Sequence, residues 1–316
     1  LPLARHSEQE FVVLDDPISS FDSVYKNKIA FCIIKFLENK KQIILTHNTD
    51  LIRLLNVQLD DCFNLYILNN VSGGRNGFLP VKSEEKNILI SLSDLVKLFQ
   101  NKNGRLEQII NDKRLFLMAM IPFLRGYIHI MNDPEDLYGK LSRLMHGFEN
   151  GSLDIADVYK KTFGYEVKTT EVISVSDILN VSVEELDIID AEKYPLLSDT
   201  LKQTLIYFHT RMRVEYELVD IFNIPHPEGK ILLLTDIIQK AFKPVVEATQ
   251  EQKDKARNNR VFFTSRKTLL NEFNHFEGNM NIFQPAIDIT EAALKKEVND
   301  IESKLIQLRA EYATNR

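Results

Sequence analysis

The chain contains little cysteine and no long apolar run. Its two cysteines, Cys32 and Cys62, both lie within apolar patterns, which predicts reduced core thiols of a cytoplasmic protein rather than a disulfide or a metal site. No apolar stretch approaches ~18 residues, so we expect no transmembrane helix and no membrane partner. Residues 1–10 also lack the apolar core of a secretory signal peptide.

The composition is typical of a globular protein of roughly two domains. The chain has 316 residues, of which 44% are hydrophobic, and a formal net charge of −6. This mild charge neither requires nor excludes a nucleic-acid partner, because a basic surface can lie on an acidic protein. The sequence lacks an initiator methionine and enters an apolar strand almost at once. We therefore expect that Leu1 is not the true beginning of the protein.

The first part of the chain alternates patterns of strand and helix. Strands are predicted at residues 11–14, 42–46 and 63–68, and helices at residues 24–38 and from residue 47 onward. A turn is predicted at residues 73–77, followed by a short returning strand. This alternation predicts an α/β domain with a parallel sheet over residues 1–82. From residue 83 leucine and isoleucine recur every three or four positions. A mostly α-helical domain is therefore predicted over residues 83–316.

Two carboxylates directly follow the first predicted strand. A strand that is buried on both faces would place Asp15 and Asp16 at the carboxyl edge of the sheet, where α/β proteins bind their ligands. Carboxylate oxygens suit Mg²⁺, and a second carboxylate can orient or deprotonate an attacking water. An apolar strand that ends in two acids is a weak signal by itself, because many strands end in this way for solubility.

The residues around this pair resemble the nucleotide-binding head of the ABC ATPase superfamily. Val-Val-Leu-Asp-Asp-Pro-Ile-Ser-Ser-Phe-Asp, residues 12–22, resembles its extended Walker B strand and D-loop. Ile-Ile-Leu-Thr-His-Asn, residues 43–48, resembles its switch strand. The order, the spacing and the flanking strands agree, and they favour an ABC-type ATPase lobe with ATP and Mg²⁺ as cofactors.

The resemblance implies roles for particular residues. Asp15 would hold Mg²⁺, Asp16 would act on the attacking water, and His47 would contact the terminal phosphate. The loop that contains Ser20 and Asp22 would cross to a second head, so that ATP is bound in a head-to-head dimer. In the alternative interpretation, His47 only caps the helix that follows it.

The chain departs from the ABC pattern in two ways. The second acid is usually glutamate, whereas Asp16 is one methylene shorter. The sequence also contains neither a Gly-x-x-x-x-Gly-Lys-Ser/Thr phosphate loop nor a serine-glycine signature loop, and residues 2–6 would be the tail of the signature helix. We therefore expect that the chain cannot cradle a triphosphate alone and is completed by an N-terminal half.

Asp-Asp-Pro-x-Ser-Ser-x-Asp resembles the Walker B motif of a bacterial ATPase group that includes the anticodon nucleases, toxins that cleave tRNA in phage defence. The strong resemblance covers residues 11–55. Their Arg-x-x-x-Glu pair and distant histidine match Arg211, Glu215 and His275. Such a set can cleave RNA without a metal: the histidine or the glutamate accepts the 2′-hydroxyl proton, and the arginine stabilises the charged phosphorane. The resemblance thus implies tRNA as a partner.

Two further features bear on the nuclease interpretation: a basic segment and a second, partial copy of the arginine and histidine pattern. Residues 253–267 are rich in lysine and arginine and contain Phe262 and Phe263, a composition that suits contact with an RNA backbone and stacking on its bases. Arg125, with a histidine where the glutamate would stand, and the later His146 repeat the same plan. The two sets are therefore alternatives, with Arg211, Glu215 and His275 preferred.

Two other functions stay open for the helical part. It can be a docking module, so that the ATPase senses a signal for a separate nuclease or toxin of a defence system. The chain can also belong to an ATPase of DNA repair or chromosome maintenance, although no long heptad coiled coil lies in it. An arginine and a glutamate four residues apart on a helix usually form only a surface ion pair. Convergence of Arg211, Glu215 and His275 in a basic cleft would favour the nuclease.

Overall fold

The chain forms two compact units, Leu1–Leu98 and Phe99–Arg316, so the division lies beyond the boundary expected between residues 82 and 83. The computed structural model describes residues 5–6, 8–18, 21–60, 62–69, 77–131, 136–168, 172–226, 232–244, 249–274 and 281–313. These residues form a mixed α/β protein that is mainly helical and contains a small parallel strand pair.

The first unit is built around one parallel pair of strands. Its elements are β1 (Phe11–Asp15), α1 (Ser23–Phe36), β2 (Lys41–Leu45), α2 (Thr49–Leu59), β3 (Tyr66–Asn69), β4 (Gly77–Pro80), α3 (Ser83–Ile90) and α4 (Leu92–Phe99). β1 and β2 pair in parallel from Phe11 opposite Lys41 to Asp15 opposite Leu45. Helix α1 makes the crossover between them, so the predicted strand, helix, strand order is confirmed.

The third predicted strand pairs differently from expectation. β3 pairs antiparallel with β4, with Tyr66 opposite Pro80 and Asn69 opposite Gly77. Within the described residues neither strand joins the parallel pair, so the prediction of a third parallel strand is wrong. The connection between β3 and β4 is too short for a parallel crossover, which needs a dozen or more residues. The returning strand itself is confirmed, and turn residues 73–76 lie outside the described part.

β1 is buried on one face only. The side chains of Phe11 and Val13 are 57% and 60% exposed, and the residues between them are partly buried. Helices α1 and α2 pack on each other, with Ile44 of β2, through a small core made of Ile18, Ala30, Leu51 and Leu55. The prediction of a strand buried on both faces is therefore wrong for the residues that the structure describes.

The two cysteines differ in their surroundings. Both are free thiols; Cys32 on α1 is partly buried and Cys62 is exposed. The prediction that both are core residues is wrong for Cys62, because its side chain is exposed.

The second unit packs its helices around one long central helix. Its elements are α5 (Arg105–Ile109), α6 (Lys113–Met131), α7 (Leu137–Leu144), β5 (Ser152–Leu153), α8 (Ile155–Phe163), β6 (Ile173–Ser174), α9 (Val175–Leu179), α10 (Pro195–Ile221), α11 (Leu234–Ala241), α12 (Gln250–Ser265), the 3₁₀ helix Leu269–Asn274, α13 (Gln284–Asp288) and α14 (Glu291–Ala313). The 27-residue α10 contacts α6, α9, α11, α13, α14 and the 3₁₀ helix. The mostly helical character predicted from residue 83 onward is confirmed.

Helix α6 is strongly apolar. Among the described residues it alone is long and apolar enough to cross a membrane by length and composition, and 61% of its apolar window is buried inside the protein. Phe116, Leu117 and Ile121 are fully buried there. The core helix of a soluble protein passes the same test, so α6 is compatible with a soluble protein.

The turn after α7 lies directly against the backbone of α10. A Cβ atom at Gly147 would collide with the carbonyl oxygen of Met212. The backbone N–H of Gly147 also donates a hydrogen bond of 3.2 Å to the carboxylate of Glu215. Only glycine allows the two backbones to approach this closely.

We expect Gly147→Ala to lower the free energy of unfolding by ~1–3 kcal/mol, because α10 has to move away from the turn. The matched control is Gly151→Ala, where a Cβ meets nothing within 4 Å and the change should stay within about 0.5 kcal/mol. Urea denaturation followed by circular dichroism measures both. Equal stabilities of the two variants would contradict the close approach.

Candidate functional site

The carboxylate of Asp16 lies between two side chains that follow β2. The backbone N–H of Asp16 donates to the carbonyl of Leu45 over 2.7 Å, which extends the parallel ladder by one bond. Thr46 Oγ1 donates to Oδ1 of Asp16 over 3.1 Å, and Nδ1 of His47 lies 3.2 Å from Oδ2. The sequence-predicted acid and histidine thus meet at the carboxyl edge of the strand pair.

The backbone of Asp16 is unusual. Its φ of +43° lies in the left-handed region, which is unfavourable for residues with a Cβ and is tolerated best by aspartate and asparagine. This turn ends the regular alternation of β1 directly after Asp15, so Asp16 can face Thr46 and His47. Strained backbone of this kind is frequent at functional sites.

Helix α2 has its own capping residue. The side chain of Asn48 accepts a hydrogen bond of 2.9 Å from the N–H of Asp50, and its own N–H donates to Thr46 Oγ1 over 3.0 Å. The imidazole of His47 is 56% exposed. His47 therefore does not serve as the cap, and its ring is accessible from solvent.

The other predicted nucleotide-site residues are Asp15, Ser20 and Asp22. Asp15 is exposed and makes no side-chain hydrogen bond within the described residues. Asp22 occupies the N-cap position of α1 without a side-chain capping bond, and Ser20 lies outside the described residues. No group of three or more histidine, cysteine or acidic side chains in the described part is arranged to hold a metal. The donor chemistry still fits Mg²⁺, which needs only one or two carboxylates beside phosphate and water oxygens.

A second cluster of charged side chains is buried in the helical unit. Arg211 and Glu215 occupy successive turns of α10 and form an ion pair of 2.9 Å between Nε and Oε1. Nδ1 of His146 lies 3.1 Å from Oε2 of Glu215, and Nη1 of Arg211 donates to Oδ1 of Asn271 over 2.6 Å. The side chains of His146 and Arg211 are each 9% exposed, and that of Glu215 is not exposed at all.

The hydrogen bonds of the cluster define the role of each group. Both oxygens of Glu215 accept hydrogen bonds, and Oε2 accepts from the Gly147 N–H as well as from His146. A carboxylate can only accept, so Nδ1 of His146 carries the proton and Nε2 of a neutral ring keeps its lone pair. Within the described residues, Nε2 of His146 and Nη2 of Arg211 have no hydrogen-bond partner.

Glu215 keeps its charge despite complete burial. Burial by itself raises the pKa of this carboxyl, but the Arg211 charge and the hydrogen bond from His146 outweigh it and hold the pKa below its usual range. Aromatic rings flank the cluster: Phe148 stacks on His146 at 5.2 Å, and Phe273 lies under the Arg211 guanidinium at 5.5 Å.

The structure brings together Arg211 and Glu215 as predicted, with His146 as their histidine. His275 lies outside the described residues, directly after the 3₁₀ helix that supplies Asn271 to the cluster. The sequence did contain a signal for His146, because this histidine belongs to the second, partial copy of the nuclease pattern. The arginine of that copy, Arg125, lies beside Met145 and over the ring of Tyr138.

The basic stretch does not provide the expected stacking surface. Phe263 is completely buried in the core, and Phe262 is partly buried beneath the guanidinium of Arg266 at 3.9 Å. Lys255 and Arg266 form ion pairs of 2.9 Å with carboxylates of α14. The prediction that both phenylalanines stack on bases is therefore wrong. Arg260 is exposed on α12, so part of the basic surface is still available.

Comparison with known proteins gives no match to a family model, to a curated protein or to a solved structure.

We expect Glu215→Gln to destabilise the helical unit by ~3–5 kcal/mol, because Arg211 then carries an uncompensated buried charge. The contribution of Glu215 is present above its unfolded-state pKa and is lost as pH falls through the lowered folded-state pKa. The difference between parent and variant should therefore shrink below about pH 4. Denaturant titrations across pH measure it.

The matched control is Glu166→Gln, which removes an exposed partner of Lys160 and should cost less than about 1 kcal/mol. A Glu215 variant as stable as this control would show that the buried ion pair contributes nothing.

Proposed function

We propose that the first unit carries the hydrolytic edge of an ABC-type ATPase head and that its ATP cycle controls the helical unit. The observation that supports this proposal best is the Asp16 carboxylate, which lies between Thr46 and His47 at the carboxyl ends of two parallel strands. A proton acceptor beside an exposed imidazole at such an edge is suited to nucleotide hydrolysis.

Each residue has a separate task in this proposal. Asp16 orients the attacking water and accepts its proton. The Asp16 bond fixes the ring of His47 through Nδ1, so that Nε2 can contact the terminal phosphate. Asp15 is the ligand for Mg²⁺, which when bound neutralises charge on the phosphates.

The proposal requires additional polypeptide. A phosphate loop and a signature loop have to be supplied from outside these 316 residues, since neither motif occurs in them. The exposed apolar side chains of Phe11 and Val13 fit this requirement, because further strands or helices of a complete head would cover that face. Ser20 and Asp22 would then reach a second head across bound ATP.

We expect Asp16→Asn to stop ATP hydrolysis while ATP binding persists, in a protein that contains the phosphate loop. Asparagine tolerates the left-handed backbone as well as aspartate does, so the fold is kept while the proton acceptor is lost. The rate should fall by ~10²–10⁴. The control is Asp50→Asn, whose carboxylate pairs with Lys26 on α1 and plays no part in hydrolysis. Hydrolysis by the Asp16 variant at the parental rate would refute the assignment.

We propose metal-independent cleavage of RNA as the function of the helical unit, with tRNA as the substrate class. The supporting observation is the buried cluster in which Glu215 orients His146 and pairs with Arg211. Because both oxygens of Glu215 are occupied, His146 rather than Glu215 is the group suited to proton transfer. The cluster is largely enclosed by protein, so RNA would reach it only after the helical unit changes conformation. Such an enclosed site fits the proposal that the ATP cycle controls this unit.

The reaction follows from the free atoms of the cluster. Nε2 of His146 accepts the proton of a ribose 2′-hydroxyl, and the resulting oxygen attacks the adjacent phosphorus. Arg211 stabilises the negative charge of the phosphorane. The bond from phosphorus to the 5′-oxygen breaks, which leaves a 2′,3′-cyclic phosphate on one product and, after protonation, a 5′-hydroxyl on the other.

We expect His146→Asn to reduce RNA cleavage by ~10²–10⁴ while ATP hydrolysis stays unchanged. Asparagine can still donate to Glu215, so the cluster keeps its hydrogen bond but loses the proton acceptor. The control is His6→Asn, which changes an exposed histidine that belongs to neither candidate set. Gel analysis of tRNA in the presence of EDTA gives the rates.

His275→Ala separates the two candidate histidines. Loss of cleavage in this variant, with full activity in His146→Asn, would transfer the catalytic role to His275. Absence of cleavage by the activated parent protein would favour the docking module over the nuclease.

A further inference from the structure

The outer face of α12 carries an open groove that neither proposed site uses. Its volume is about 460 Å³, and it is lined by Arg257, Arg260, Val261, Thr264 and Ser265. All five side chains are exposed. Residues three, four or seven positions apart lie on one side of a helix, so Arg257, Arg260 and Thr264 face solvent together.

The lining of this groove is basic and rich in hydrogen-bond donors. It contains two guanidinium groups and two hydroxyl groups but no carboxylate. Arg260 makes no ion pair within the described residues. Arg257 pairs with Asp254 of the same helix over 2.9 Å, and both side chains are open to solvent. Exposed pairs of this kind are weak, so the groove favours an anionic ligand.

The row of cations extends beyond the groove in both directions. Lys253 lies one helical turn before Arg257, and the exposed Lys267 follows the end of α12. Neither lysine forms an ion pair within the described residues. At 1.5 Å per residue the row from Lys253 to Lys267 is roughly 20 Å long. A small anion needs one such cation, whereas a row of them fits a ligand in which negative charge repeats along a chain.

The end of this row is joined to the buried cluster. The carbonyl of Lys267 accepts a hydrogen bond of 2.7 Å from Nδ2 of Asn271. Oδ1 of Asn271 in turn accepts from Nη1 of Arg211 over 2.6 Å. Two hydrogen bonds therefore connect the exposed row to the arginine of the proposed nuclease, and a chain of phosphates bound along α12 would run toward the segment that holds this arginine.

We propose that this face of α12 binds the phosphate backbone of single-stranded RNA. The repeating cations argue for a chain of phosphates, and the choice of RNA rests on the proposed function of the helical unit. Arg257 and Arg260 would donate to phosphate oxygens, and the hydroxyl of Thr264 would add a neutral donor. A membrane fits less well, because Val261 is the single large apolar side chain of the lining and interfacial helices need a broad apolar face.

The bound RNA would be recognised with little regard to its sequence. The lining contains no aromatic ring, since Phe263 is buried in the core and Phe262 lies beneath Arg266. Contacts to phosphate position a nucleic acid but do not distinguish its bases. RNAs of different sequence should therefore bind with similar affinity.

Fluorescence anisotropy of the full 316-residue chain with a 2′-O-methyl RNA of about 12 nucleotides tests the proposal. This RNA lacks the attacking hydroxyl, so binding is measured independently of cleavage. The double variant Arg257→Gln, Arg260→Gln should bind about tenfold more weakly or worse. Its slope of log affinity against log salt should also fall by about 1.4, because each phosphate contact of a single strand contributes about 0.7.

The matched control is the double variant Lys160→Gln, Lys161→Gln, which removes the same charge from exposed lysines of α8. It should keep the parental salt slope. The double variant Arg257→Lys, Arg260→Lys keeps the charge and should retain most of the affinity. All three variants change exposed side chains, so their thermal stability should match that of the parent.

The outcomes separate this surface from the nuclease. Loss of RNA binding in the arginine-to-glutamine variant, together with a parent that binds RNA but does not cleave it when activated, would keep the surface and remove the nuclease. Three results would overturn the proposal: parental affinity in the arginine-to-glutamine variant, an equal loss in the α8 control, or tighter binding of DNA, polyglutamate or phosphatidylserine vesicles than of RNA.

Discussion

Glu215 is fully enclosed by the helical unit, and its charge decides how the surrounding segments pack. An isolated buried carboxylate would be protonated or would disrupt the fold. Arg211, His146 and the N–H of Gly147 compensate it from two different segments. The ion pair holds the middle of α10, and the bonds from His146 and Gly147 fasten the turn after α7 to it. Any use of His146 in chemistry depends on this arrangement.

The strand-edge site uses a weaker and more open arrangement. Asp16 is only partly buried and His47 is largely exposed, so their bond contributes little to stability. The left-handed backbone at Asp16 adds strain instead. Such a site is suited to contact with a ligand and to conformational change, whereas the enclosed Glu215 cluster is suited to precise orientation. The functions proposed for the two units would need this contrast, because a nucleotide site must open and close whereas a catalytic cluster must keep its orientation.

Helix α10 links the features of the helical unit. Asp199 lines a cavity near its beginning, and Arg211 and Glu215 form the buried cluster farther along. Glu217 on the next turn receives Arg309 from α14. Because one helix carries all these groups, the cavity and the cluster share the same structural element.

The sequence by itself determined the local features: the β1, α1, β2 order, the position of Asp16 at a strand end, and the Arg211–Glu215 spacing on one helical face. Each of these features is set by residues that lie close together in the sequence. The repeat of apolar residues and the length of a crossover can both be seen in a short segment. The tertiary structure decided the pairing of β3 with β4, the exposure of Phe11, and the approach of His146 to Glu215 across 69 positions. That approach depends on the fit of Gly147 against the Met212 backbone, and contacts between distant segments are not encoded in a local pattern.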